Sequence, residues 1–364
     1  MNKSRVSAPQ FFSLLYLSVL SSIVMYISSP EISISRTDSL LRPLVFIVVS
    51  IVAAIPVFVL HKMVDKEKKM GKKAVIKDNV FFKIISLMYA IVWVTGILRT
   101  LARFDLFASS ELFPGNDMTL FIMALVMVCG LLSLLGLGAL SRAAIIFTVI
   151  VVGVTGFVMI SLWGDVDFLN FTPLFENGVG SFIRDSLLFC VQAFEIGTLI
   201  LFLPGIKGKV IKSFIFWAVL SGVTFSVILF FTVGTLGVFA DTQLFPTYTA
   251  VTLAKFGLLE RMDALETAIW ILCVVEKISL YFLAVINCIK TVFPKVSKKG
   301  TCVILILVVS IVLGIISGDL EKFGFVSYSP LTIGLYAVAV IVLPVVLIIY
   351  FKKVKPYEEN FENN

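Results

Sequence analysis

Histidine is almost absent from this chain: His61 is the only one, and it stands at the end of an apolar run. The sequence also lacks a His/Cys metal spacing, a Ser-His-Asp set, a phosphate-binding P-loop and a GxGxxG motif. No enzyme constellation stands out, and no cofactor or metal is expected. Charge is scarce as well: 15% of residues are charged and 59% are hydrophobic, with a mean hydropathy of +1.06. A soluble domain is about 45–50% apolar and about 25% charged, so the composition excludes a water-facing fold and leaves an integral membrane protein. Strand-like alternation is missing, which favours helices, because a helix pairs its own backbone groups inside the bilayer. Of the five cysteines, Cys129, Cys190 and Cys273 fall inside apolar runs, and Cys288 and Cys302 sit near run ends. A disulfide framework needs cysteines in extracellular loops, so these read as reduced, small apolar residues. No polar stretch is long enough for a soluble domain.

What is present is ten apolar runs, at 8–29, 42–61, 80–102, 118–140, 143–163, 181–203, 211–238, 263–290, 301–318 and 329–351. About 20 apolar residues cross the hydrocarbon core, so each run is expected to be a transmembrane helix. The first reads as a span rather than a cleaved signal, because no small-residue cleavage site follows Ile27. Basic residues concentrate in 62–77, 207–212, 290–299 and 352–355, all on the side that holds Lys3 and Arg5. The other side holds the sparser Arg36, Arg42, Arg99, Arg103, Arg184, Lys255, Arg261 and Lys322. The positive-inside rule then puts both termini in the cytoplasm. The net charge of +7 reads as topology, and "HKMVDKEKKMGKK" as a solvated cytoplasmic loop facing anionic lipid; a nucleic-acid partner is not expected. The chain is read as one polytopic domain, 1–364. Ten spans divide into two five-span repeats, about 8–163 and about 181–351, with the second inverted. In such folds, sites lie near the midplane on discontinuous helices at matching places in the two halves, here runs one and six.

A few residues break the apolar rule. In "CVQAFEIGTLILFLP" Glu195 lies at mid-depth, two residues before Gly197, and Pro204 and Gly205 end the run. An acid there is unfavourable by a few kcal/mol, and a broken helix exposes backbone groups that bind ions and charged ligands. Glu195 can accept a ligand ammonium, act as a titrating group, or be a protonated carboxyl bonded to a neighbouring helix. Run one reads "LSVLSSIVMYISSP"; Ser21 and Ser22 sit where a matching break would fall, either as ligand contacts or as helix-packing hydroxyls. Run eight carries Glu276 and Lys277 near mid-depth. Neighbours on a helix point about 100° apart, so each needs its own partner. Lys277 can meet Glu195, stand where sodium-coupled folds hold a cation, or belong to a structural charge network. Glu195, Glu276 and Lys277 are the candidates for ion or proton coupling. Glu266 is nearer the outer end, where it can face a water-filled vestibule. Tyr89 and Trp93 share a face of run three before Gly96, as a site wall or as packing.

Several stretches resemble the spore germinant receptor B subunits, GerAB-type proteins of the amino acid–polyamine–organocation transporter superfamily. These are "SAPQFFSLL", "AFEIGTLILFLPGIKGK" and, above all, "LFPTYTAVTLAKFGLLERMDALETAIWILCVVEKISLYFLAV", with Phe245-Pro246, Glu260 to Ala264, Trp270 and Lys277. The likeness is best from about 181 to 295. It implies an all-α membrane protein with ten helices in a LeuT-like five-plus-five inverted repeat, in the inner membrane of a bacterial spore. It implies a germinant site between helices one, three, six and eight, with Ser21, Ser22 and Met25, Trp93, Phe194, Glu195 and Gly197, and Lys277 as ligand-binding candidates. Its implied partners are a small nutrient, often an amino acid, and companion A-type and C-type receptor subunits. The function implied is nutrient sensing that triggers germination; the alternatives are a proton-coupled amino acid permease and a scaffold subunit that binds nothing. Related proteins often have a glycine-rich break in helix one, where this chain has Leu20-Ser21-Ser22-Ile23-Val24.

Overall fold

The computed structural model describes residues 6–24, 37–69, 80–114, 116, 118–172, 175, 178–191, 194–255, 262–316 and 330–359. Among these, eight helical segments are long and apolar enough to cross a membrane: Asp38–Met63, Val80–Leu112, Leu137–Asp165, Gly178–Gly205, Val210–Thr242, Met262–Val292, Lys298–Ile315 and Gly334–Lys352. Two of the ten apolar runs fall instead on shorter helices, α1 (Ala8–Val24) and α4 (Thr119–Leu134). The rest are α2 (Arg42–Lys69), α3 (Val80–Phe107), α5 (Leu137–Ser161), α6 (Gly178–Val191), α7 (Leu199–Phe202), α8 (Val210–Leu236), α9 (Pro246–Leu253), α10 (Met262–Val292), α11 (Lys298–Ile316), α12 (Pro330–Ala337) and α13 (Leu343–Glu359).

Burial shows which helix is central. In α10, 83% of the apolar window is buried, against 28% in α5, and α10 packs on α3, α1, α4 and α5. Peripheral helices turn an apolar stripe outward. On α2 it is Leu44, Val48, Val52, Ile55 and Val59, all exposed at helical spacing. That is the pattern of a helix whose solvent is lipid rather than water. A short parallel pair ties the N-terminal end to the middle of the chain: β1 (Val6–Ser7) pairs with β2 (Ile206–Lys207), Val6 opposite Ile206. The start of α1 is thereby fastened to the end of the interrupted sixth segment.

Four expectations need correction. Helix α2 continues through Lys69, so the first part of the basic run is helical rather than a loop; Lys and Glu propagate a helix well once it has left the membrane. The border between runs four and five lies at Gly136, whose φ of +84° suits glycine, and not at Ser141-Arg142, which are inside α5. Charge at Arg142 was the wrong punctuation mark. The stretch after run seven contains a short helix, α9, that packs on α8 and α10. Last, α1 is helical through Ser21 and Ser22 to Val24. With no glycine or proline there, nothing interrupts the hydrogen-bond ladder, and the expected match to the sixth-segment break is absent at those serines.

Candidate functional site

The sixth segment is interrupted at the expected place. Helix α6 ends at Val191, a 3-10 turn covers Phe194–Thr198, α7 follows as a single turn, and a second 3-10 turn covers Leu203–Gly205. Pro204 has no N–H to donate, so the ladder cannot run through it. Thr198 Oγ1 donates to the Glu195 carbonyl at 2.6 Å, holding the tight turn. Gly197 allows a close approach: a Cβ there would stand 3.1 Å from the Trp93 ring and 3.6 Å from Val340. The turn therefore presses against α3, and the carboxylate beside it points inward.

Glu195 is fully buried. Its Oε1 receives Lys277 Nζ at 2.6 Å, the Tyr281 hydroxyl at 3.2 Å and Ser22 Oγ at 3.4 Å. Lys277 Nζ also donates to Ser22 Oγ. One oxygen thus gathers α1, the interrupted segment and α10. Its partner oxygen, Oε2, is buried with no hydrogen-bond partner among the described residues. An ionised carboxylate has about four acceptor positions, so a large part of its capacity is unused. Lys277 and Glu195 form a buried ion pair. Burial makes such a pair unforgiving, since removing one member leaves the other charged in a medium that solvates it poorly.

An aromatic wall backs the pair. Trp93 lies 5.2 Å from the Tyr281 ring and 6.4 Å from the Tyr89 ring, and the Tyr89 hydroxyl donates to the Ala339 carbonyl at 2.7 Å. Ala339 belongs to a π-helical turn, Val338–Val342, between α12 and α13. Arg99 and Arg103, one turn apart on α3, are buried near Lys277. They are not the solvated outer charges the orientation argument assumed. A small apolar cavity of about 160 Å³ adjoins the break, with Ser50, Ile196 and Tyr336 in its lining.

The site thus brings Ser22, Trp93, Glu195, Gly197 and Lys277 together. Ser21 is beside it and turned to other uses: its Oγ donates to Ser18 O at 2.8 Å and its carbonyl accepts the Trp270 indole N–H at 3.3 Å. Phe194 opens the 3-10 turn, but its side chain, like all of Met25, lies outside the described residues. Glu276 is buried on another face of α10, near Cys129 of α4. Glu266 is buried beside Thr155 rather than exposed in a vestibule. Tyr281 was missed. Its spacing of four from Lys277 puts it on the same helical face, which is a signal the sequence did carry.

Residues 5–319 match the model of a family described as spore germination protein. The chain belongs to that family. The match runs from the start of α1 through α11, so it takes in every element that supplies the Glu195–Lys277 cluster. The spore germination permeases are transporter- or receptor-type membrane proteins, not a known enzyme family. This member is an integral membrane protein of the cell or spore inner membrane. None of the curated proteins compared with the chain matches it.

Proposed function

We propose that this protein is the membrane subunit of a spore germinant receptor and that it binds a small amino acid at the break in the sixth segment. One observation carries the reading: a buried carboxylate and a buried ammonium neutralise each other at an interrupted helix, with a carboxylate oxygen left over. A zwitterion is the ligand class that can part such a pair without stranding either charge. Its ammonium replaces Lys277 at Glu195, and its carboxylate takes Lys277. The exchange conserves charge in a low-dielectric site, where an uncompensated charge is disfavoured. A neutral sugar offers no such exchange. Because the cluster joins α1, the interrupted segment and α10, its opening biases the packing of three helices at once, as a ligand-driven population shift requires.

The same reading takes the fold as ten helices in two inverted five-helix repeats, 8–163 and 181–351, with cytoplasmic termini and no catalysis. It places the chain in a complex with A-type and C-type receptor subunits. The test is Glu195→Gln on the chromosome of the source spore-former, with nutrient-triggered release of the core's small-molecule store measured across amino acids and sugars beside a deletion strain. The expected result is loss of one amino acid response on deletion and a shifted half-maximal dose in Glu195→Gln spores with normal protein level. An unaltered dose in spores that depend on this chain would contradict it and favour a scaffold that binds nothing.

A second reading rests on the direct Glu195–Lys277 contact. Protonating Glu195 would dissolve the pair, which is what a proton-coupled amino acid permease needs. It requires amino acid accumulation that collapses with the proton gradient, whereas a receptor binds without accumulating.

A further inference from the structure

A second cavity lies away from the Glu195–Lys277 pair and shares none of its residues. It is a cleft of about 540 Å³ between α1, α5 and α8. Its walls follow from helical spacing. Pro9, Phe12 and Tyr16 share one face of α1, and Lys212, Phe216 and Leu220 share one face of α8. Thr148 of α5 lies between them and donates to Ser13 O at 3.4 Å. The deep end is closed by the Tyr16 hydroxyl, 2.9 Å from Thr224 Oγ1.

The two ends differ in chemistry. At one, Lys209 and Lys212 are exposed at the N-terminus of α8. From there the lining turns apolar, and no acidic residue among the described residues contributes to it. The α8 surface beside the cleft is Ile215, Phe216 and Val219, all exposed large hydrophobics, so the cleft opens sideways toward acyl chains rather than into water. From Lys209 to Leu220 the helix rises roughly 16 Å. One leaflet of the hydrocarbon core is about 15 Å deep. The cleft therefore has a cationic rim, an apolar trough and the depth of a single leaflet.

We propose that this cleft binds an anionic phospholipid, with the phosphate on Lys209 and Lys212 and one acyl chain laid between α1 and α8. The orientation with these lysines on the cytoplasmic side makes it a lipid of the inner leaflet. Charge decides against a zwitterionic nutrient, since the described lining offers two ammonium groups and no carboxylate to take a third. The cleft also bears on the site. It flanks α1, which supplies Ser22 and whose start is paired to Ile206 and Lys207 just before Lys209. A seated lipid holds α1 against α8.

The test uses the full chain, purified and reconstituted with phosphatidylglycerol or with phosphatidylcholine. Retained lipid is counted by native mass spectrometry after matched delipidation. The wild type is expected to keep phosphatidylglycerol in preference to phosphatidylcholine. Lys209→Gln with Lys212→Gln should lower that retention about tenfold or more, because two cationic contacts to the headgroup are lost. Ser213→Trp, which fills the trough and keeps both charges, should lower it as well. Lys298→Gln with Lys299→Gln removes an exposed basic pair at the start of α11 and should leave retention unchanged. Equal retention of the two lipids would overturn the proposal. So would an equal loss in the α11 pair, or a companion receptor subunit crosslinking into the trough in place of lipid. Retention is read without any nutrient, so this result stands or falls separately from amino acid binding.

Discussion

Helix α1 and the interrupted segment 178–205 meet at one carboxylate oxygen, and they reach it in opposite ways. The interrupted segment leaves the α-helical ladder for a 3-10 turn, is pinned by Thr198, and delivers a charge. Helix α1 stays helical and delivers only the hydroxyl of Ser22. The cation comes from a third source, the unbroken and most buried helix, α10. A charge in a membrane helix thus does not demand a break. Lys277 is tolerated on an intact helix because Glu195 is brought to it, and the break is what brings it. The polar pocket is asymmetric: the first half of the chain contributes the Ser22 hydroxyl and the Trp93 ring, and the second contributes both members of the ion pair and Tyr281.

The sharpest way to break this comparison is to remove the intact helix's charge. Lys277→Met leaves Glu195 buried with only hydroxyl donors, and the loss of stability should be about 3–5 kcal/mol. Denaturant or thermal unfolding in detergent reads it. Glu195→Gln combined with Lys277→Met should recover most of that loss, because no charge is left buried. A double variant as unstable as the single one would show that packing, not charge, dominates at this position.

The α1 side should matter less. Ser22→Ala removes a hydroxyl that touches both charges and should lower stability by about 2 kcal/mol, the range for hydrogen bonds to ionised groups. Ser21→Ala removes a bond that stays within its own helix and should lower it by about 1 kcal/mol or less. Equal effects from the two serines would erase the distinction drawn between them. The last contrast, of about 1 kcal/mol or less, concerns the break itself. Gly197→Ala places a methyl 3.1 Å from Trp93 and should lower stability by about 1 kcal/mol through overpacking. Gly205→Ala meets nothing within 4 Å and should fall within about 0.5 kcal/mol of wild type. A glycine at 197 that tolerates alanine as freely as the one at 205 would show that the turn does not press on α3.

Much of this was legible in the sequence because the bilayer makes the reading simple. An apolar run of sufficient length has to be a helix, and a lone acid inside it has to have a reason. Glu195, Gly197 and Pro204 announced the break, and Lys277 stood out as a second charge near mid-depth able to meet the acid. Their pairing, 82 residues apart in sequence, was one option among several, and only packing of α1, the interrupted segment and α10 selects it. Hydropathy failed where punctuation was conformational rather than polar. Gly136 ends α4 through its φ, while Arg142 rides inside a helix. It failed again where exposure was inferred from position near a span end. Glu266, Arg99 and Arg103 are buried where α10 packs on α3 and α5, which no run of residues records. Ser21 and Ser22 are adjacent and chemically identical; only the direction each faces on α1 separates the one in the site from the one beside it.

The most direct measurement of the central claim is ligand binding to the purified full-length protein, read as a shift in thermal unfolding. A panel of α-amino acids would be compared with the amines and the carboxylic acids that keep only one of each amino acid's charged groups. The expected result is stabilisation by at least one amino acid, none by its amine or acid, and loss of the effect in the Glu195→Gln, Lys277→Met double variant. Stabilisation by the single-charge analogues, an effect that survives in the double variant, or no response to any amino acid would contradict zwitterion exchange at the Glu195–Lys277 pair.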